Sequence, residues 1–166
     1  MGIFTKLFGN RQIAKIKSLI SALDSSNVII RRDAAKLLGE LANPIAVDSL
    51  ILALKDEEFI VRVCAAKALG QIGGHAVINP LISAVKDYDW SVRKAAADAL
   101  DKIGWKPGED WIGAQYWIAK EDWEECIKLG EPAIVPLKEM LQDKAKDVRE
   151  KASEALSRIK RSGVNS

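Results

Sequence analysis

The 166-residue chain is 48% apolar and 29% charged with a formal net charge of +2. This composition can bury a sizeable core and excludes disordered and collagen-like classes, and no segment is basic enough to demand nucleic acid. Two cysteines inside separate predicted helices, Cys64 and Cys126, point to reduced thiols in a cytoplasmic compartment and not to a disulfide framework.

No apolar run approaches the roughly 18 residues of a membrane span. The first ten residues lack a signal peptide's long apolar stretch and cleavage site, so a soluble chain is expected. Myristoylation at Gly2 is set aside because Lys6 stands where that motif has Ser or Thr. Ile3, Phe4, Leu7 and Phe8 recur at helical spacing within residues 1–11. They read either as a hydrophobic cap on the first repeat or as a surface that touches a membrane or a partner. Asn10 is then placed to cap an opening helix whose seam is Ile13, Ile16, Leu19, Ile20 and Leu23.

From that helix onward the chain repeats. Leu19 to Leu23, Leu50 to Leu54 and Leu81 to Val85 are equivalent stretches 31 residues apart, and Ile30-Arg31, Val61-Arg62 and Val92-Arg93 keep the same step. Each of those pairs precedes an alanine pair (34/35, 65/66, 96/97), then Leu38, Leu69 or Leu100, then Leu41, Ile72 or Ile103. A fourth copy follows 25 extra residues, with Leu137, Val148-Arg149, Ala152, Ala155, Leu156 and Ile159.

Apolar steps of three and four within each unit predict two amphipathic helices. Pro44, Pro80, Pro132 and Pro136 are expected at or near the start of each unit's first helix, and Gly73-Gly74, Gly104 and Gly130 at left-handed caps between units. One helix pair cannot bury its own apolar faces, so neighbouring pairs must stack into an all-α α-solenoid. The expected organisation is a repeat domain over 12–161, with units 12–42, 43–73, 74–104 and 131–161, a helical insertion at 105–129 and a tail at 162–166.

The stretch from Pro44 to Leu50, continued through Leu69-Gly70-Gln71-Ile72-Gly73, resembles one unit of the HEAT-like repeats found in phycobilisome lyase subunits. The resemblance covers residues 12–161. It includes the insertion, where Trp105, Pro107, Ala114, Tyr116, Ile118-Ala119, Trp123 and Leu129-Gly130 stand at matching places. It implies a ladder in which Arg31, Arg62, Arg93 and Arg149 pair with acids at the turn between helices, here Asp56, Asp87 and Asp143. The first unit departs from this, with Ser25 at that place and Asp24 beside it. A row of arginines gripping an acidic ligand is the functional alternative to this structural reading.

Chemistry is hard to build from these residues. The single histidine, His75, falls at a turn without an evident nucleophile beside it, and Cys64, Cys126 and His75 lie in different units, one ligand short of a zinc site. Neither a GxxxxGK[ST] nor a GxGxxG stretch occurs. Glu57-Glu58 and Glu124-Glu125 read as solvated charge next to helix starts or on exposed faces. No enzyme activity, metal or cofactor is therefore expected.

In HEAT-like solenoids the second helices line the concave face. Here that face carries seven basic and six acidic residues among twenty outward positions, which is not a phosphate-tracking stripe. The second unit differs by placing Ile60, Val63 and Cys64 where its neighbours carry charge. Ala95 adjoins them, and Arg32, Lys36, Lys67, Lys94 and Asp98 form the rim. Either these residues form a protein-binding patch, or Val63 and Cys64 pack against a neighbouring helix.

The insertion holds four of the five tryptophans and net charge −3. It is expected to break near 120–122 into two short helices whose rings fill a gap between units. Alternatively Trp111, Tyr116 and Trp117 form a second surface for a peptide or a planar pigment. The reading as a whole is a non-catalytic interaction or scaffold module whose partner is another protein or peptide, with nucleic acid, membrane and small molecules disfavoured. An accessory or substrate-recognition subunit of a bilin-lyase-like or other modifying enzyme is the alternative.

Overall fold

A computed structural model describes the backbone of residues 2–163 and the side chains of residues 11–162. Ten α-helices follow one another: α1 (Gly2–Ala22), α2 (Val28–Leu41), α3 (Val47–Ala53), α4 (Phe59–Ile72), α5 (Ile78–Ala84), α6 (Trp90–Lys102), α7 (Trp111–Ala119), α8 (Trp123–Leu129), α9 (Glu131–Met140) and α10 (Lys146–Gly163). Short 3-10 turns, Pro44–Ala46 and His75–Val77, lead into α3 and α5.

The starts of these helices are chemically specified. Asn27 and Asp89 cap α2 and α6 by accepting the backbone N–H two residues on, and Asp110 and Asp122 do so for α7 and α8 three residues on. The N-terminal part departs from the sequence reading: α1 runs from Gly2 to Ala22, so no helix starts at Asn10. No proline interrupts this stretch, so helix propagation carries the backbone through Asn10. The side chains of Ile3, Phe4, Leu7 and Phe8 lie outside the described residues. Pro136 also differs, since it falls inside α9 and not at its start.

Successive pairs stack into a right-through solenoid over the first three units: α2 packs on α4 and α4 on α6, while α1, α3 and α5 cover the other side. The second helices approach closely because small residues face each other. A Cβ on Gly39 would lie 2.8 Å from Ala68 Cα, and one on Gly70 would lie 2.8 Å from Ala99 Cα. Ile30 and Leu37 occupy the register of Val61 and Ala68 but are exposed, since among the described residues α2 has no second helix of an earlier unit beside it.

The regular stacking stops at α6. The register of Gly39 and Gly70 is there filled by Asp101, whose carboxylate accepts hydrogen bonds from Tyr116 Oη and, at 2.9 Å, from Lys120 Nζ. The insertion thus supplies a helix pair of its own, with α7 packed on α6 and α9, and α8 packed on α10. Tyr116 and Ala119 of α7 enter the core of the first three units, whereas Ala114 and Ile118 enter a second core with α8, α9 and α10. One helix therefore joins two cores.

The close approach generates a test. Alanine normally favours a helix over glycine by about 1 kcal/mol, so Gly70→Ala would stabilise an isolated α4. Against Ala99 it is expected to destabilise the protein by about 1–2 kcal/mol in urea unfolding, because overpacking outweighs propensity.

Candidate functional site

The arginines of the first three units bind in two directions. Arg62 donates through Nη1 to the carbonyls of Asp56 (2.8 Å) and Glu57 (3.0 Å) in its own turn, and through Nε (2.8 Å) and Nη2 (3.0 Å) to Asp87 in the next turn. Arg31 repeats this arrangement with Ser25 and Ser26 carbonyls behind it and Asp56 ahead at 2.7 and 2.9 Å. Arg93 binds the carbonyls of Asp87 and Tyr88 and reaches Asp143 at 2.7 Å across 50 residues of chain. The ion pairs thus run between units, which explains both ends of the ladder. Among the described residues, Ser25, which stands where later units have the aspartate, receives no arginine from another unit, and Arg149 binds the carbonyls of Asp143 and Lys144 in its own turn.

Arg31, Arg62 and Arg93 are buried, so they present no gripping row to a ligand. Burial works to raise the Asp56 carboxyl, but hydrogen bonds from Arg31 and from the Glu58 N–H outweigh it and hold the group below its ordinary range. The carboxylate is also an Asx-type turn acceptor, as are Asp87 toward Asp89 N–H and Asp143 toward Ala145 N–H.

The second helices α2, α4 and α6 form one face of the stack, the face that the family resemblance implies to be concave. Lys36, Lys67, Lys94 and Asp98 are exposed there, and Arg32, Ile60 and Cys64 are half-buried. Two residues expected at the apolar centre are corrected: Val63 is 8% exposed and Ala95 only 3%. The solvent stripe on α4 follows Ile60, Cys64, Lys67 and Gln71, and Val63 falls to one side of it against a neighbouring helix. In the same register Arg32 and Lys94 reach solvent because their stems are long. Ala95 stands on the stripe, but a methyl group is too short to emerge between packed helices.

The thiol of Cys64 is raised by burial, an effect partly offset by the charges of Lys67, Arg32 and Lys36 and reinforced by that of Asp33. Arg32 is bound to Asp33 at 2.7 Å, and Asp98 to Lys120 at 2.7 Å. Among the described residues, Lys36, Lys67 and Lys94 have no carboxylate within salt-bridge reach.

The aromatic insertion divides. Tyr116 is buried and cannot belong to a binding surface: its ring packs 5.5 Å from Trp105 and 4.9 Å from Trp117, and its hydroxyl is taken up by Asp101. Trp117 is half-buried, lining a cleft of about 490 Å³ with Pro107, Glu109 and Lys128. Trp111 is 47% exposed, with Lys86 Nζ 3.7 Å from its ring centre. Gln115 Oε1 is buried without a hydrogen-bond partner beside a cavity of about 30 Å³ that Arg93 and Glu139 also line.

Sequence reasoning missed two surfaces. One is an apolar groove of about 420 Å³ between α3 and α5, lined by Ile51, Leu54, Pro80 and Ala84. The other is an exposed edge of Phe59, Tyr88 and Trp90 at the turns, with Arg62 over the Tyr88 ring at 4.5 Å. A signal was present for the second, since aromatics replace Val28 at residues 59 and 90. Among the described residues, no group of three or more His, Cys, Asp and Glu side chains is placed to hold a metal, and no helix is long and apolar enough to cross a membrane.

The family model for HEAT repeats matches residues 16–101, more than half of the chain. The chain belongs to the HEAT-repeat family. Among curated proteins, none matches it. Among solved structures, this HEAT-repeat chain is similar to the complex of CpcE and CpcF of phycocyanin lyase from Nostoc sp. PCC7120, at 26% identity and a TM-score of 0.54. That match covers 90% of this chain and 66% of the other, so the HEAT-repeat chain spans about two thirds of its relative's length. It is also similar to the crystal structure of an engineered protein, at 20% identity and a TM-score of 0.48, covering 88% of this chain and 79% of that one.

The Tyr116 contact makes the insertion testable. Burial, and then the hydrogen bond to Asp101, push its hydroxyl up to about 12 from 10.0. A folded-state pKa above the unfolded one means that the stabilisation is intact below pH 10 and disappears as pH rises toward 12. In a Tyr88→Phe variant, which leaves one tyrosine, ultraviolet titration is expected to show phenolate appearing near pH 12, together with unfolding.

Proposed function

We propose that this HEAT-repeat chain is a non-catalytic interaction module that receives part of another protein on the concave face formed by α2, α4 and α6. The observation that supports this reading is the composition of that face. Exposed Lys36, Lys67 and Lys94 surround the half-buried Ile60 and Cys64, an apolar centre with a polar rim. Arginines that might otherwise have formed a ligand-binding row are consumed by contacts between units.

A second reading rests on the likeness to the phycocyanin lyase complex: an accessory subunit that recognises the protein substrate of a bilin-lyase-like or other modifying enzyme. Both readings use the same face, and they differ in whether a pigment accompanies the protein.

Affinity capture from a lysate of the source organism separates them. Three baits are compared: the native chain, a concave variant with Ile60→Asp and Cys64→Arg, and a variant of the opposite face with Leu52→Asp and Val135→Asp. The expected outcome is one protein retained by the native and opposite-face baits and lost by the concave variant, with no visible-light absorbance on the bait. Loss on the opposite-face variant alone would move the site, and visible absorbance that follows the bait would favour the lyase-type reading.

A further inference from the structure

We propose that the segment received on the concave face is acidic, with carboxylates engaging Lys36, Lys67 and Lys94 and one apolar side chain seated over Ile60 and Cys64. This rests on the concave-face reading above and adds the chemistry of the occupant.

The argument is charge complementarity. Acids on this part of the face are already matched within the chain, since Asp33 binds Arg32, and Lys120 binds both Asp98 and Asp101 at 2.7 and 2.9 Å. Among the described residues the three exposed lysines make no salt bridge. Lys36 and Lys67 hold the same register on α2 and α4, so adjacent helix axes roughly 8–10 Å apart place their stems side by side. Lys94 stands one turn further toward the start of α6, in the register of Arg32 and Val63. Its natural partner four residues on, Asp98, is held by Lys120.

Stacking therefore brings together, beside one apolar spot, three cations from three units that make no salt bridge among the described residues. Glu40, four residues on from Lys36 near the end of α2, makes no salt bridge with it among the described residues. A complementary partner supplies several carboxylates spaced across adjacent helices and a single aliphatic or aromatic side chain between them.

Cys64 provides the reporter, because it sits in the patch half-exposed while Cys126 is buried with its thiol pushed up to about 12, first by burial and then by the charge of Asp122. Random peptides of about 12 residues are selected on the full-length chain at about 50 mM salt, where surface charges are weakly screened. The rate of maleimide labelling at Cys64 is then measured with each recovered peptide and with a single-stranded oligonucleotide of similar length.

The expected result is recovered peptides rich in Asp and Glu that slow labelling of Cys64. They should bind the folded Lys36→Glu, Lys67→Glu, Lys94→Glu variant roughly tenfold or more weakly. Peptides that shield Cys64 but carry no acidic excess would overturn this proposal while leaving the concave-face reading standing. If no recovered peptide shields Cys64, both fall. Shielding by the oligonucleotide at equal or lower concentration would overturn it in favour of a phosphate backbone.

Discussion

The arrangement of this molecule depends on an arginine held between two turns. A single helix pair has one apolar face too many, and stacking alone leaves the angle and offset between pairs loosely defined. The guanidinium of Arg62 fixes both: two carbonyls behind it belong to its own turn and the carboxylate ahead belongs to the next. A planar fork can satisfy these three directions at once, which a lysine cannot. Burying such a charge is unfavourable unless every donor is engaged, so the geometry tolerates little slippage. The register it imposes aligns Lys36 with Lys67 on adjacent helices.

Glycine at residues 39 and 70 and alanine at 68 and 99 complete this constraint from the opposite end of the second helices. Asp101 ends it. A carboxylate in the glycine register cannot accept a close helix, and it instead attracts Tyr116 and Lys120 of α7. The helix that results is wedged between α6 and α9, yet Arg93 still reaches Asp143. The fourth unit is therefore tied to the third at the turn edge by the ladder and along the helices by α7. Aromatic rings suit the enlarged space, and one polar atom, Gln115 Oε1, goes unpaired there.

Much of this was legible in the sequence because repetition multiplies each signal. Four copies of one pattern specify helix pairs and stacking more firmly than any single segment could, and a family resemblance named the arginine–aspartate ladder. The pairing direction was not legible within one unit; Ser25 in place of an aspartate was the clue that each arginine reaches forward. Burial on the concave face was misread at Val63 and Ala95, because a register shared with Arg32, Lys94 and Cys64 does not convey how far a side chain extends. For Tyr116 the sequence left gap-filling and a second surface both open; its hydroxyl on Asp101 places it in the gap, and a charged residue in the glycine register is visible in the sequence itself.

The forward direction of the ladder can be tested by a double-mutant cycle in chemical denaturation, using Arg62→Met with Asp87→Asn and, for comparison, with Asp56→Asn. The account expects a coupling energy of about 1.5–3 kcal/mol for Arg62 with Asp87, as for a buried charge-assisted pair. With Asp56, where Arg62 meets a backbone carbonyl that the substitution retains, it expects a coupling several-fold smaller. Equal couplings, or a larger one with Asp56, would contradict it and would mean that each arginine serves its own unit, leaving the register of the concave face to apolar stacking alone.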